Sequence, residues 1–376
     1  MTEEKSIVAE AWGGFAASLV ALPQSIAFGV AIYAGLGPAY AAYGALAGFL
    51  GAAALGVTAS SCGGAPRLVS APCAPAAAVL APLVVELMAQ THSPEKVMVL
   101  LVVATLLVGF FQILYGLMGG GQLIKYIPYP VVTGYLSGVA ILIVLGQGPR
   151  LLGLAKGTSL AAGLMSPSLW RWEAVATGTA TMAAMLAGPR LTKKVPAAVI
   201  GVVAGALTYL GISLFDPALR VIADNPLVVG PLGGQTAGFG AWTAHWADAA
   251  SLSLADWRLL LLPSLTLSVL LSIDTLKTCV VLDSLTRSRH SSNRELLGQG
   301  LGNLASGLIG GAPGAGTSAP TMVNLASGGK GRASAVFSGL FTILIFILLG
   351  RAVAWLPLSA LAGILIVMAF RMFDWH

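Results

Sequence analysis

Apolar residues run along this chain in blocks of about 20, separated by short polar or glycine-rich connections. Blocks of that length are what a helix needs to cross a bilayer. They predict spans near 12–34, 39–57, 70–90, 97–118, 129–149, 172–188, 195–214, 259–283, 295–311, 318–328, 333–350 and 354–372. Two of these are irregular. The third reads "RLVSAPCAPAAAVLAPLVVEL", with Pro72 and Pro75 flanking Cys73 and Ala74 and Pro82 further on. The tenth lies in "GGAPGAGTSAPTMVNLASGG", residues 310–329, too rich in glycine and proline for a plain helix. Each is predicted to be an extended approach, "RLVS" in the third span and Gly311 to Gly316 in the tenth, followed by a helix that begins inside the membrane, the first with Pro72 in its opening turn and the second at about Ser318. Pro72 suits a first helical turn, and Ser70 is a nearby candidate cap.

Irregular backbone survives in a bilayer only where protein or a water-filled cavity satisfies its polar groups. Two interrupted segments in corresponding places point to an inverted repeat with a binding site at the midplane. The spacing agrees. Gln24 in the first span precedes Cys73 by 49 residues, and Asp274 in the eighth precedes Thr317 by 43. Each half thus offers a polar helix and then a broken one. A helix start carries unpaired N–H groups and a positive dipole end, so two facing starts make an anion site.

Composition sharpens the class. Of 376 residues, 57% are hydrophobic and only 9% charged; soluble domains carry roughly 25% charged residues. With a mean hydropathy of +0.87, the expectation is an all-α polytopic membrane protein. Three cysteines, Cys62, Cys73 and Cys279, are too few for a disulfide framework. The opening "MTEEKSIVAEAW" has no basic leader pattern, so the first span is expected to be retained. The net charge of +6 is spread over loops, and no nucleic-acid partner is expected.

Lys and Arg placement sets orientation. With the N-terminus in the cytoplasm, the inner loops hold Arg67, Lys125, Arg190, Lys193, Lys194, Arg287, Arg289, Arg294, Lys330 and Arg332. The outer loops hold Lys96, Arg150, Lys156, Arg171, Arg220, Arg258 and Arg351. The dense clusters fall inside. The 215–258 loop, with Asp216, Asp224, Asp248 and Asp256, falls outside and has room for a short interfacial helix. This describes an integral protein of the plasma (inner) membrane with a cytoplasmic N-terminus.

Several stretches resemble the SulP anion transporters, the solute-carrier-26 relatives. They are "ALPQSIAFGVAIYAGLGPAYAAYGALAG" (21–48), "YIPYPVVTGYLSGVAILIVLGQ" (126–147), "LDSLTRSRHSSNRELLGQGLGNLASGLIGGAPGAGTSAPTMVNLASGG" (282–329) and "PLSALAGILIVMAFRMFDW" (357–375). The resemblance implies a seven-plus-seven inverted-repeat fold, in which a core moves against a gate. Core spans would lie at about 12–118 and 259–350, and gate spans at about 129–214 and 354–372, in one transmembrane domain over 1–376. It implies an anion held by Gln24, Cys73, Ala74, Gly316, Thr317 and Ser318, with Asp274 contributed by the eighth span. It also implies gate and dimer contacts from the family's last two spans and cytoplasmic STAS domain. The chain stops at His376 before these, so an incomplete gate, completed by more chain or a partner such as a second copy, is expected. Where many members have an arginine in the tenth span, this chain has Pro320. Where many have a glutamate in the eighth, it has Asp274, with Lys277 one turn on.

A charge at mid-bilayer costs about 2.5–3.5 kcal/mol on insertion scales, so Asp274 and Lys277 should face protein or water. Asp274, Lys277 and Thr278 share one helix face. They support three readings: a cation site, sodium ahead of a proton, built from Asp274 and Thr278; a Lys277 that replaces the missing arginine in balancing the anion, with no ion coupled; or a self-contained Asp274–Lys277 pair that only lowers its own insertion cost. No cofactor other than a coupling sodium is expected. Asp283 is expected to pair with the nearby basic loop, Glu86 to be interfacial, and His290 to lie in a solvated loop. "GQGLGN" (298–303) reads as helix packing rather than a nucleotide loop, and no nucleophile–base pair marks an enzyme. The function expected is sodium-coupled transport of bicarbonate or sulfate. The alternatives are a proton-coupled or uncoupled exchanger, a channel or scaffold, or a nucleobase permease. A permease would need a carboxylate from the tenth span, which offers none.

Overall fold

The computed structural model describes residues 2–126, 129–155, 157–192, 195–222, 225–231 and 252–373. Thirteen α-helices and two short strands follow in order among them: α1 (Thr2–Ile32), α2 (Ala41–Cys62), β1 (Ser70–Pro72), α3 (Ala74–Thr91), α4 (Pro94–Leu117), α5 (Tyr129–Leu151), α6 (Leu160–Met165), α7 (Trp172–Leu191), α8 (Ala197–Ser213), α9 (Leu254–Thr286), α10 (Ser292–Leu308), β2 (Gly314–Gly316), α11 (Ser318–Ala326), α12 (Arg332–Val353) and α13 (Leu358–Met372). Each apolar block read from the sequence holds a helix; α6 is an addition outside those blocks. Among the described residues seven helices are long and apolar enough to cross a membrane, and α8 and α13 are shorter apolar helices.

Local chemistry places the ends. Ser93 caps α4 by accepting from the Lys96 N–H at 3.3 Å, with Pro94 in the first turn. Ser253 and Asp256 form a reciprocal capping box at the start of α9, which satisfies two orphan donors at once. α3 and α9 end on His92 and Arg287, both in the left-handed conformation. The cap expected from Ser70 is not there. Ser70 and Pro72 both lie in β1, so the first turn of α3 holds Pro75 rather than Pro72; Cys73 occupies the N-cap, and no side chain bonds that turn from the cap position. The physical reason is the extended Ser70–Pro72 backbone, which carries the Ser70 hydroxyl past the helix start.

The helices pack as two groups. α1, α2, α4, α9, α10, α11 and α12 surround the two strands, with α10 against α4 and α2 and with α1 against α12. α5, α7, α8 and α13 pack on one another. α3 touches both α1 and α5, and α1 also meets α8 and α13, so a seam runs between the groups. At one end of the molecule the basic loops converge with the first helix. Arg67 donates to the Lys330 carbonyl, Arg294 to that of Cys62, and Arg332 to those of Ser60 and Ser61, while Glu10 accepts from the Lys330 and Ser334 N–H groups. At the other end Lys96 pairs with Asp256 at 2.9 Å. Lys156, Lys193, Lys194, Asp224 and Asp248, half of the 215–258 loop and the Lys125 side chain lie outside the described residues.

Candidate functional site

The two broken spans meet through their approaches. β1 and β2 pair antiparallel, with Ser70 opposite Gly316, Ala71 opposite Ala315 and Pro72 opposite Gly314. The pairing lets two stretches of non-helical backbone satisfy each other inside the protein, as a bilayer demands. It also aims the starts of α3 and α11 at one region. Gly314 is required by the approach itself, since a Cβ there would lie 2.2 Å from the Ala71 carbonyl oxygen.

Side chains from neighbouring helices hold the approaches. Asn303 Nδ2 donates to the Gly314 carbonyl at 3.0 Å and its Oδ1 accepts from the Gly314 N–H at 2.8 Å. The same Asn303 Nδ2 donates to Gln112 Oε1 at 2.8 Å. Thr275 Oγ1 accepts from the Gly316 N–H at 2.9 Å. On the other strand, Gln299 Nε2 donates to Ser70 Oγ at 2.7 Å and to Glu295 Oε1 at 2.8 Å. Glu295 Oε2 accepts from the N–H groups of Gly64 and Ala65. Thr317 donates its N–H and its hydroxyl to the Val69 carbonyl, and Thr321 accepts from the Val69 N–H.

In front of the helix starts lies a cavity of about 500 Å³ in the seam. It is lined by Gln24, Asp274, Lys277, Thr317 and Ser318 from the first group, by Cys73 and Ala74 at the start of α3, and by Leu136, Met185, Ala197 and Arg371 from the second. The site residues named from sequence are thus brought together, with two exceptions. Gly316 sits behind the lining: its N–H is bonded to Thr275, and its missing Cβ would face Leu68 at 2.6 Å. Thr278 is fully buried, donates to the Asp274 carbonyl at 3.0 Å and bonds the Ser318 hydroxyl at 2.8 Å. Neither N-cap, Cys73 nor Thr317, makes a side-chain capping bond. The N–H groups of Ala74, Ser318 and Ala319 belong to first turns, where a helix offers them no acceptor of its own.

Of the three charged residues that line the cavity, Asp274, Lys277 and Arg371, the first two face each other. Lys277 Nζ donates to Asp274 Oδ1 at 2.8 Å. Asp283 accepts from His290 Nδ1 at 2.7 Å and from its N–H at 3.0 Å, and Ser292 bonds His290 Nε2 at 3.0 Å. Asp283 therefore does pair with the basic loop, while the His290 side chain is only 9% exposed, more enclosed than a solvated loop residue. Glu86 is exposed.

Several residues escaped the sequence reading. Tyr135, on α5, has a buried hydroxyl without a hydrogen-bond partner among the described residues. It lies one position from the cavity-lining Leu136. Gln299 and Asn303 hid inside the glycine-rich "GQGLGN". Their signal was the spacing of i and i+4, which puts both amides on one face of α10.

Comparison with known proteins adds an independent line. The profile of the sulfate permease family matches residues 8–376. The chain is 33% identical over 381 aligned residues to the bicarbonate transporter BicA of Picosynechococcus sp., covering 99% of this chain and 62% of that protein. It is 25% identical to the putative sulfate transporter YbaR of Bacillus subtilis, covering 96% and 66%. It therefore spans less than two thirds of either relative's length. Its fold matches the transmembrane domain of a cyanobacterial BicA with a TM-score of 0.77 at 30% identity, over 98% of this chain and 88% of that one. The paired broken helices and their shared cavity thus sit in a polytopic helical membrane fold, and the chain belongs to the sulfate permease family.

Proposed function

We propose that this chain is the membrane part of a secondary transporter for a small inorganic anion, bicarbonate or sulfate. The carrying observation is the cavity onto which the starts of α3 and α11 converge together with Gln24 and Lys277. The anion sits between the two helix starts, taking the N–H groups of Ala74, Ser318 and Ala319, the amide of Gln24 and the ammonium of Lys277. Two helix starts supply about half a charge each, and the Lys277 ammonium adds to them. The two relatives above, a bicarbonate transporter and a putative sulfate transporter, support these two anions.

The first group of helices serves as the moving core and α5, α7, α8 and α13 as the gate, with the seam as the sliding surface. The chain sits in the plasma (inner) membrane with its N-terminus and basic loops in the cytoplasm, and works as a homodimer.

Coupling to sodium fits the oxygen atoms present. The Asp274 carboxylate, with the hydroxyls of Thr278 and Ser318 on the neighbouring helix faces, offers the hard ligands an alkali ion prefers. An anion that draws Lys277 toward itself frees Asp274 for that ion. The 2.8 Å Asp274–Lys277 pair also favours a second reading, uncoupled exchange, in which the pair stays closed and Lys277 merely balances the anion.

Uptake of labelled bicarbonate and sulfate into proteoliposomes, with and without an inward sodium gradient, tests both. Saturable uptake of one anion, stimulated by sodium, is the expected result. Saturable uptake indifferent to sodium selects the exchanger. Flux that never saturates, or uptake of a nucleobase alone, overturns the carrier reading.

A further inference from the structure

The seam holds more than the cavity at the helix starts. At its far end lies a second cavity of about 510 Å³, lined by Ala34, Pro38, Arg150, Arg171, Thr158 and Ser359 among others. It is bounded by the turns that join α1 to α2, the last turns of α5, the segment that leads into α7 and the first turn of α13. Its described lining holds two arginines and no aspartate or glutamate. Between the two lies a third cavity of about 570 Å³. It shares Ala34, Gly146, Pro149 and Gly157 with the arginine-lined one and reaches down to Ala31 and Ala77. Ala31 and Ala77 are one helical turn beyond Phe28 and Ala74, which line the first cavity. The three cavities therefore follow one another along the seam, with an apolar stretch in the middle.

Arg150 is the feature that needs an account. It is partly buried near the end of a membrane-spanning helix, where a cation is costly unless compensated. Among the described residues no carboxylate pairs with it. Its hydrogen bond there runs across the seam, from Nη2 to the Val30 carbonyl of α1 at 3.1 Å. That bond occupies one of five guanidinium N–H groups. A cap on the end of α1 alone would explain the bond. It would not explain why the arginine lines a roomy cavity with a second arginine and no acid. A guanidinium presents its donors in a flat fork that matches two oxygens of a carbonate-like or sulfate-like anion. A cleft lined by one sign of charge also concentrates counter-ions.

We propose that the cavity at Arg150 and Arg171 is a second, antechamber anion site, where a small oxyanion binds before passing along the seam to the helix starts. The bound anion takes the Arg150 fork. Because Arg150 also ties α5 to α1, occupancy competes with the Val30 bond and loosens that end of the seam. The identity of the cargo rests on the function proposed above; the existence of the site does not depend on the geometry at Cys73.

Equilibrium binding of labelled sulfate and bicarbonate to the purified chain tests this in four forms: wild type, Cys73→Trp, Arg150→Gln and the double variant. The Cys73→Trp chain is expected to keep one class of binding site, which Arg150→Gln then weakens at least tenfold. Arg150→Gln alone is expected to keep the class that Cys73→Trp removes. A purely capping arginine would lower the melting temperature and leave the residual binding of the Cys73→Trp chain unchanged, and that result overturns the proposal. Should Arg150→Gln fail to fold, Arg150→Lys keeps the charge and loses the fork; residual binding weakened about threefold supports the site, and unchanged binding overturns it. Binding untouched by Cys73→Trp but abolished by Arg150→Gln overturns the helix-start site instead, so the two failures are distinct.

Discussion

The two broken spans solve one problem by different means. α3 runs for 18 residues from Ala74 and buries Ala74, Ala76, Ala77, Leu80, Leu83, Val84 and Leu87 along its length. Packing of that many side chains fixes the helix, and with it the direction of its start. α11 runs for nine residues from Ser318 and buries Pro320, Thr321 and Asn324. Two and a half turns with so little apolar surface cannot orient themselves. The second approach is instead held atom by atom: Asn303 on both polar groups of Gly314, Thr275 on the Gly316 N–H, and Ser306 on the Ala312 carbonyl. Most of the clamps on the first approach also come from the second half, through Gln299, Glu295, Thr317 and Thr321. A long apolar helix anchors its own start, whereas a short one borrows polar anchors. The cost is a set of buried polar groups that must all be paired, because a half-satisfied network is worse than none.

The sharpest way to break this comparison is Asn303→Leu. It strips partners from the Gly314 N–H, the Gly314 carbonyl and Gln112 Oε1 together. Each buried group left unpaired costs about 1–3 kcal/mol, so the loss should exceed about 3 kcal/mol and remove most of the folded protein from a detergent extract. Thermal melting followed by size-exclusion chromatography measures it. A chain that melts like wild type would mean that α11 is oriented by something other than its polar anchors.

Next in size is the contrast between Cys73→Trp and Gly316→Leu. Cys73 lines the cavity, and an indole there fills the space between the helix starts. Anion binding per folded molecule should fall at least 100-fold, equivalent to about 2.7 kcal/mol. Gly316 points its open side at Leu68. Leucine there should cost stability, while the surviving folded fraction binds anion within a few-fold of wild type. Equal loss of binding in both variants would put Gly316 back in the site.

The spans, the two breaks and the convergence of Gln24, Cys73, Asp274 and Thr317 were all legible in the sequence. Hydropathy, proline and glycine act locally, and family resemblance supplied the rest. What pairs with what was not legible. Ser70 and Gly316 are partners in one register, yet nothing local to either names the other. Ser70 read as a cap because caps are recognised by residue type, whereas backbone direction decides whether the hydroxyl reaches. Gln299 and Asn303 read as part of a glycine packing surface. An amide in a helix announces itself as a clamp only once the backbone groups opposite it are known. Gly316 was placed in the lining because position along the chain does not say which side of a strand faces the cavity.

The charge pair comes third. If sodium is coupled, Asp274→Asn abolishes its stimulation of uptake while Lys277→Leu leaves it in place. If Lys277 balances the anion alone, Lys277→Leu raises the half-saturating anion concentration about tenfold, or about 1.4 kcal/mol, and sodium never matters. Uptake measured against sodium for the two variants separates these outcomes. It also sharpens the comparison, since Thr278 bonds Ser318 at the start of α11 and so ties a bound cation to the short helix rather than the long one.

The smallest effect is predicted for Ser70→Ala, and it is the closest control for Asn303→Leu. Ser70 Oγ accepts one bond from Gln299 Nε2. When the hydroxyl is removed, Gln299 keeps Glu295 Oε1 at 2.8 Å, and Glu295 keeps the N–H groups of Gly64 and Ala65. The Val69 backbone just before Ser70 keeps Thr317 and Thr321. No backbone group of β1 loses a partner, and α3 retains all its packing. The variant should therefore melt within about 1 kcal/mol of wild type, the usual net worth of one hydrogen bond, and take up anion at the wild-type rate. A loss as large as that of Asn303→Leu would show that the first broken span, despite its length, depends on polar anchors as heavily as the second.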